Sequence, residues 1–183
     1  MTDQRISARD KILDAAQRVA AAHGAGKITL GKVAEEAGIS KGGLLYHFPS
    51  KEVLIQGMLE RLIAATTRVR EEASESLPEG PHATLRALLA TRNREGLFDP
   101  DVVMAILAAS AEQPELLNPL REHIATVREQ IIAEGGDKAI YWLLWAATDG
   151  LLLQETLGIA PYPAEQRQLV RQKLLAVAEE LLQ

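Results

Sequence analysis

Apolar residues recur at helical spacing along almost the whole chain. Residues 8–23 place Ile12, Ala15, Ala16 and Val19 on one stripe, three or four residues apart. The same periodicity predicts eight further helices, over residues 30–37, 41–47, 51–75, 82–94, 100–112, 115–134, 137–157 and 164–182. Since no long run alternates apolar and polar residues as a strand does, the pattern predicts an all-α fold of about nine helices.

Hydroxyl residues stand at three successive helix starts. Thr29, Ser40 and Ser50 each precede an apolar-periodic segment, where a side-chain oxygen caps the first backbone amides. Gly38 suits the position just after a helix, which glycine favours. The spacing predicts a helix, a turn at residues 38–40 and a second short helix, which together form a helix-turn-helix unit.

Two adjacent glycines, Gly42 and Gly43, open the second helix of this unit. Each glycine inside a helix costs ~1 kcal/mol relative to alanine, so the pair indicates either a loop or a close approach to the backbone. The second helix of such a unit enters the DNA major groove with its N-terminal residues first. Donors suited to phosphate oxygens surround the pair: Ser40, Lys41, Tyr46, His47 and Lys51. This cluster favours contact with DNA over a loop.

The composition excludes several classes of protein. The chain has 183 residues, of which 47% are hydrophobic, and this suits a globular protein with a packed core. It contains no cysteine, which excludes disulfides and thiolate metal sites. No apolar stretch reaches the ~18 residues of a membrane span, and the N-terminal residues do not read as a signal peptide. We therefore expect a cytoplasmic protein.

Charge is distributed unevenly along the chain. The net charge is −5, yet residues 1–51 carry eight Lys and Arg against five Asp and Glu. The remaining residues carry twelve basic against twenty acidic side chains. This asymmetry predicts a basic interaction module joined to an acidic body.

The N-terminal sequence resembles the DNA-binding domain of the tetracycline-repressor (TetR) family over residues 12–54, ILDAAQRVAAAHGAGKITLGKVAEEAGISKGGLLYHFPSKEVL. The shared features are the Thr before the second helix and the motifs VAEEAGISKG and YHFPSKEVL. The resemblance implies that three helices read DNA and that a long fourth helix leads to a regulatory body. The implied domains are a DNA-binding domain at residues 1–50 and a regulatory domain for ligand binding and dimerisation at residues 51–183.

The resemblance also implies which positions contact DNA. They are occupied here by Thr29, Ser40, Lys41, Gly42, Tyr46, His47 and Lys51, and the predicted DNA-binding residues also include Gly43 and Leu45. Leu45 stands where many members carry a phosphate-contacting Tyr, so that contact is lost or moves to Tyr46. Ala21 replaces a Phe that is usual in the core of the first helix, so smaller neighbours must fill that space.

The last two helices are suited to pairing with other helices. Residues 137–157 are apolar nearly all round, which requires burial on both sides of that helix. The resemblance implies a four-helix bundle formed with the same two helices of a second subunit, and one larger monomeric core is the alternative. The predicted interface residues are Ile140, Leu144, Ala147, Leu151, Val170, Leu174, Val177 and Leu181.

By the same resemblance, a small-molecule inducer binds among the fourth to eighth helices. Candidate ligand residues are Arg92, Asn93, Met104, Leu107, Trp142, Trp145 and Asp149. Asp149 is the most informative, because a lone carboxylate in an apolar helix is costly to bury. It is paired within the fold, exposed at the interface edge, or placed for a polar or cationic ligand, and pairing is favoured.

The function predicted is that of a ligand-responsive transcriptional regulator. The resemblance favours a repressor that binds a palindromic operator as a homodimer and is released by an inducer, with an activator as the alternative. An enzyme is disfavoured because His23, His47, His82 and His123 are scattered without metal-ligand spacing and no Gly-x-Ser-x-Gly turn occurs. A purely dimeric scaffold leaves the basic cluster unexplained. We expect no cofactor, no metal and no membrane partner.

Overall fold

The computed structural model describes residues 7–78, 80–94 and 96–182. Helices and turns make up this part of the chain, which contains no strand and confirms the predicted all-α class. The α-helices are α1 (Ala8–His23), α2 (Leu30–Glu36), α3 (Lys41–His47), α4 (Lys51–Ser76), α5 (Ala83–Arg92), α6 (Pro100–Glu112), α7 (Asn118–Ala133), α8 (Lys138–Thr156) and α9 (Arg167–Leu181). Among the described helices, none combines the length and hydropathy that crossing a bilayer requires.

Local signals position the starts of α2, α3 and α4. Thr29, Ser40 and Ser50 each accept a hydrogen bond through the side-chain oxygen from the amide three residues later, at 3.1 to 3.3 Å. Gly38 follows α2 with a φ of +66°, a left-handed conformation that glycine adopts without steric cost. The caps and the turn predicted for the helix-turn-helix unit are confirmed.

Two of the predicted helices begin later than their periodicity indicates. Pro114–Leu117 and Ala164–Gln166 are 3-10 turns, and the α-helices that follow start at Asn118 and Arg167. Each 3-10 turn begins at or just after a proline, whose ring fixes φ and removes one amide donor. The tighter turn satisfies the amides that remain before the α-helix starts.

The chain forms two compact units, and the first comprises the described residues of 7–62 together with 98–121. Within this unit α1 packs against both α2 and α6, and α2 packs against α3. The buried side chains of its core include Ile12, Leu13, Val33, Leu44 and Phe48. The unit therefore extends past residue 50 and includes α6. The predicted domain boundary between residues 50 and 51 stays a prediction.

A chain of polar contacts connects three helices of the first unit. Arg61 of α4 donates to Asp14 at 2.5 Å and to Gln17 at 2.8 Å, both on α1. Gln17 donates to the carboxylate of Asp99 at 2.7 Å. Asp99 in turn accepts from the first amides of α6. These contacts fix α4 and α6 against α1, the helix on which the helix-turn-helix unit packs.

Gly57 on α4 allows a close helix contact in this unit. A Cβ atom added at Gly57 would lie 2.8 Å from the Phe48 ring and 3.4 Å from Leu13. Real Cβ atoms do not approach so closely, and Phe48 is 1% exposed and has no room to move. Glycine at this position therefore lets the end of α3 pack directly on α4.

The second unit comprises the described residues of 63–97 and 122–182. Within it α5 packs against α8, and α8 packs against α9. The buried members of its core are Leu85, Leu88, Leu89, Val127, Ile131, Tyr141, Leu144, Trp145, Ala178 and Leu182. Large aliphatic side chains from α5, α7 and α8 thus pack in one cluster with two aromatic residues of α8.

Candidate nucleic-acid interface and ligand site

The helix-turn-helix unit presents one apolar and one polar face. Val33, Ala34, Leu44 and Phe48 are buried, which turns the opposite side of α3 to solvent. Tyr46 on that side is 86% exposed. The centroids of its ring and of the His47 ring are 5.1 Å apart, and the two rings are nearly perpendicular. An aromatic hydroxyl projecting so far from a short helix is available to a partner.

The predicted DNA-contact residues lie together on this unit. Thr29, Ser40, Lys41, Gly42, Gly43, Leu45 and Tyr46 are exposed, while His47 and Lys51 are half-buried. Ser40 and Thr29 use a lone pair to accept from helix amides, which leaves each hydroxyl hydrogen free to donate. The structure thus leaves most of these groups exposed on or beside α3 and at the starts of α2 and α4, and their contacts with DNA remain a prediction.

Both glycines of α3 have helical backbone conformations. Neither has a positive φ, and each lies inside the helix that begins at Lys41. A Cβ at Gly42 would be 4.0 Å from the Ser40 hydroxyl, an ordinary contact, whereas one at Gly43 would be 3.3 Å from it. The alternative of an irregular loop is therefore wrong. The fold itself does not require glycine at position 42.

The lysines around α3 carry charge available to a partner. Within the described residues of the first unit, the ion pairs involve Arg9, Arg18 and Arg61, and none involves a lysine. Lys41 is the first residue of α3 and Lys51 is the first residue of α4, so a positive charge stands at the start of each helix. Available cations and hydroxyl donors on one surface match a polyanionic backbone.

Asp149 is paired within the second unit. One carboxylate oxygen lies 2.9 Å from Nε of Arg92, and the other accepts from the indole nitrogen of Trp145 at 2.9 Å. The structural pairing that the sequence favoured is therefore confirmed. Paired in this way, the carboxylate orients the Trp145 ring and neutralises one arginine.

The other ligand candidates are divided between the two units. Met104 and Leu107 lie on α6 in the first unit. Asn93 ends α5, where its amide nitrogen donates to the carbonyl of Leu89 at 2.7 Å. Trp142 is half-buried in the second unit with its ring centroid 6.3 Å from that of Trp145. These roles stay predictions.

Two basic residues near Arg92 were missed by the sequence analysis. Arg70 on α4 has a buried Nη1 atom with no hydrogen-bond partner among the described residues. Burial, reinforced by the positive charges of Arg70 and Arg92, lowers the pKa of His123 on α7. A usable signal was available, because Arg70 follows the buried Thr66 and Val69 at intervals that place it on their stripe of α4.

The exposed apolar face of α8 differs from the predicted interface face by a shift of one residue along the sequence, from Leu144 to Leu143. Leu144 is 2% exposed in the chain's own core, so it has no surface left for a second subunit. The outward stripe instead has intervals of three and four residues and consists of Leu143, Ala146, Gly150, Leu153 and Leu157, of which Leu143 is 64% exposed. On α9 the predicted Val177 and Leu181 are exposed, and Val170 and Leu174 are half-buried.

A polar network and a surface cleft lie where α8 leads to α9. The nearly buried carboxylate of Glu155 contacts the guanidinium of Arg171 and accepts from the hydroxyl of Tyr162 at 3.1 Å. Burial and the Glu155 hydrogen bond raise the pKa of Tyr162. Beside them Arg167 lines a cleft of about 240 Å³ with Gln168, and both are on or next to the start of α9. No cluster of His, Asp and Glu that could hold a metal ion occurs in the described ranges.

Comparisons with known proteins cover both parts of the chain. Residues 12–58 match the family described as bacterial regulatory proteins, tetR family, and residues 82–179 match the tetracyclin repressor-like C-terminal domain. The chain is 31% identical over 137 residues to nucleoid occlusion factor SlmA of Vibrio vulnificus, covering 72% of this chain and 69% of that protein.

Solved structures agree on the fold. A TetR transcription regulator from Haloarcula marismortui aligns with a TM-score of 0.75 at 21% identity, covering 96% of this chain and 98% of the other. The multidrug binding protein EbrR, solved in complex with ethidium, aligns with a TM-score of 0.62 at 26% identity, covering 92% and 98%.

Proposed function

The chain belongs to the tetracycline-repressor family of bacterial transcriptional regulators, and we propose that it represses transcription as a homodimer that a small-molecule inducer releases from DNA. Members of this family are ligand-responsive, DNA-binding regulators, and this protein is one of them. Its relatives in the family are non-enzymatic DNA-binding proteins. The observation that carries the proposal is the exposed surface of α3, where two helical glycines meet solvent beside hydroxyl and lysine donors.

In the proposed complex α3 enters the major groove with Lys41 and Gly42 foremost. The fold leaves room for a side chain at position 42. Because Gly42 has none, the α3 backbone can approach the groove. Tyr46 and Lys51 donate to phosphates, which positions the helix without reading bases. Leu45 offers apolar surface of the kind that contacts a thymine methyl group.

The homodimer forms through the exposed stripes of α8 and α9. Leu143 and Leu153 on α8 and Leu157 directly after it face solvent in the single chain, as do Val177 and Leu181 on α9. Helices with apolar residues at intervals of three and four pack side by side in bundles. A two-fold dimer presents two copies of α3, which explains a palindromic operator with half-sites one helical turn, or multiples of it, apart.

The inducer acts by binding more tightly to the state of the protein that releases DNA. A ligand shifts a conformational equilibrium only as far as its affinities for the two states differ. Transcription in vitro tests the proposal. The template carries a DNA site that the protein has selected from a random pool of duplexes. Added protein should lower the yield of transcript from this template. A rise in transcript would instead identify the activator that the family also contains.

Nucleoid occlusion is a second candidate function, favoured by the 31% identity to SlmA over 72% of this chain. The two functions differ in where the protein binds on the chromosome. A repressor occupies a few promoters, whereas a nucleoid-wide factor occupies many sites dispersed over the genome. Chromatin immunoprecipitation with sequencing separates them, and we expect a few promoter sites.

A further inference from the structure

Three basic side chains of the second unit lie close enough to influence one another, and one of them is paired with an acidic group. Arg70 of α4, Arg92 of α5 and His123 of α7 act on one another electrostatically, since both arginine charges lower the pKa of His123. The acidic group is Asp149 of α8, whose two oxygens are engaged at 2.9 Å by Arg92 and by Trp145. Asp149 therefore neutralises Arg92, and each of its oxygens already has a partner.

Arg70 is the member of this cluster whose positive charge is not balanced by an adjacent buried carboxylate. Its Nη1 atom is buried and lacks a hydrogen-bond partner in the described part of the chain. Burial lowers the pKa of Arg70, and the opposing effect of Glu71 comes from a side chain exposed to solvent. A buried donor without an acceptor is costly, so a bound molecule that supplies an acceptor at this atom is stabilised there.

The charges of the cluster limit what that molecule is. Arg70 and Arg92 carry two positive charges and Asp149 carries one negative charge. His123 is neutral near pH 7, because burial and the two arginines lower its pKa from 6.5. Without the solvent-exposed Glu71, the excess among these groups is one positive charge. A single carboxylate balances it, whereas a phosphate dianion leaves the site negative.

We propose that the effector of this regulator is a small organic monoanion of the carboxylate class, held by the Arg70 guanidinium beside the Arg92–Asp149 pair. The planar guanidinium offers paired N–H donors that match the two oxygens of a carboxylate. This inference rests on the proposed function, since it names the ligand class of the same regulator. A cation has no free carboxylate here, because Asp149 is already paired with Arg92.

Thermal unfolding of the full chain tests the ligand class with matched probes. The probes are benzoate and the linear carboxylates from butanoate to decanoate, each compared with its own primary amide at constant ionic strength. Ethidium serves as the cationic probe. At a concentration about 100-fold above its Kd, a binding carboxylate should raise the Tm by roughly 5 °C or more. The matched amide and ethidium should not.

Variants locate the effect on the molecule. Arg70→Gln should abolish the carboxylate shift, and Arg70→Lys should retain part of it because the charge remains. Arg68→Gln is the matched control, since that side chain lies on the same helix and is 75% exposed. Arg167→Gln tests the cleft beside α9 instead. Both of these variants should respond like the wild type. Arg70→Gln removes a half-buried charge whose buried Nη1 atom has no partner among the described residues, so its Tm without carboxylate should equal or exceed that of the wild type.

Several results overturn the inference. They are a Tm shift of equal size with the amides or ethidium, no shift with any carboxylate, or a carboxylate shift that survives Arg70→Gln or disappears in Arg167→Gln. DNA binding is measured separately, without ligand, on duplexes selected by the protein from a random pool. Selective DNA binding without a carboxylate response refutes the ligand class alone. Failure to select any sequence refutes the proposed function, whatever the probes do.

Discussion

Replacing Gly42 by alanine separates the stability of the helix-turn-helix unit from its affinity for DNA. Gly42 has helical dihedrals, and a Cβ atom added there lies 4.0 Å from the Ser40 hydroxyl, which is an ordinary contact. Alanine should therefore stabilise the fold by up to about 1 kcal/mol, because it reduces the entropy of the unfolded chain. For a chain of 183 residues this corresponds to a rise in Tm of roughly 2–4 °C.

The same methyl group should weaken binding to the operator. Where α3 meets the groove closely, an added carbon overpacks the contact at a cost of about 1–3 kcal/mol. A homodimer presents Gly42 twice, so the cost doubles to about 2–6 kcal/mol. The lower value is already a loss of roughly 30-fold in affinity.

Two measurements on the same variants test this prediction. Differential scanning calorimetry gives the Tm, and fluorescence anisotropy with a labelled operator gives Kd at fixed salt. Gly31→Ala is the matched control for stability, since Gly31 lies in α2 with no other group within 4 Å of an added Cβ. Gly43→Ala should gain less stability than Gly42→Ala, because its Cβ would meet the capping hydroxyl of Ser40 at 3.3 Å. Raised stability with unchanged affinity in Gly42→Ala would refute the close-approach explanation.

Three further substitutions test other parts of the account. Gly57→Ala should destabilise the fold by about 1–3 kcal/mol in urea unfolding, because the new methyl meets the buried Phe48 ring, and Gly31→Ala in open surroundings should not. Lys51→Ala should weaken binding to every duplex. It should also make the plot of log affinity against log salt concentration less steep by about one unit per site, and an unchanged slope excludes a phosphate contact. Because its pKa is lowered from 6.5, His123 binds a proton more readily when unfolded, so stability falls as pH drops below about 6.5. His123→Gln should lose less stability than the wild type between pH 7.5 and 5.5; parallel curves would contradict this.

The parts of the fold predicted from sequence are those determined by local chemistry. The caps at Thr29 and Ser40 and the glycine turn at Gly38 involve residues only a few positions apart, and the structure has them where the sequence placed them. The packing of α6 on α1 depends on contacts such as that between Gln17 and Asp99, far apart in sequence. No periodicity within one segment encodes such a pair.

The interface stripe of α8 shows a second limit of sequence reasoning. A helix that is apolar nearly all round has no polar face to indicate its orientation, so Leu143 and Leu144 are equivalent in the sequence. Packing against α5 buries Leu144 and leaves Leu143 exposed. Arg70 is similar, because the burial of its Nη1 atom and the effect of Arg92 on it arise only in the folded chain.

The central claim is that two copies of this chain recognise a palindromic DNA sequence through α3. The most direct measurement is the binding isotherm for the selected palindrome compared with a scrambled duplex of the same composition at physiological salt. We expect two protomers per palindrome and a preference of at least about 10³-fold over the scrambled duplex. Equal affinity for the two duplexes, or one protomer per palindrome at saturation, would contradict it.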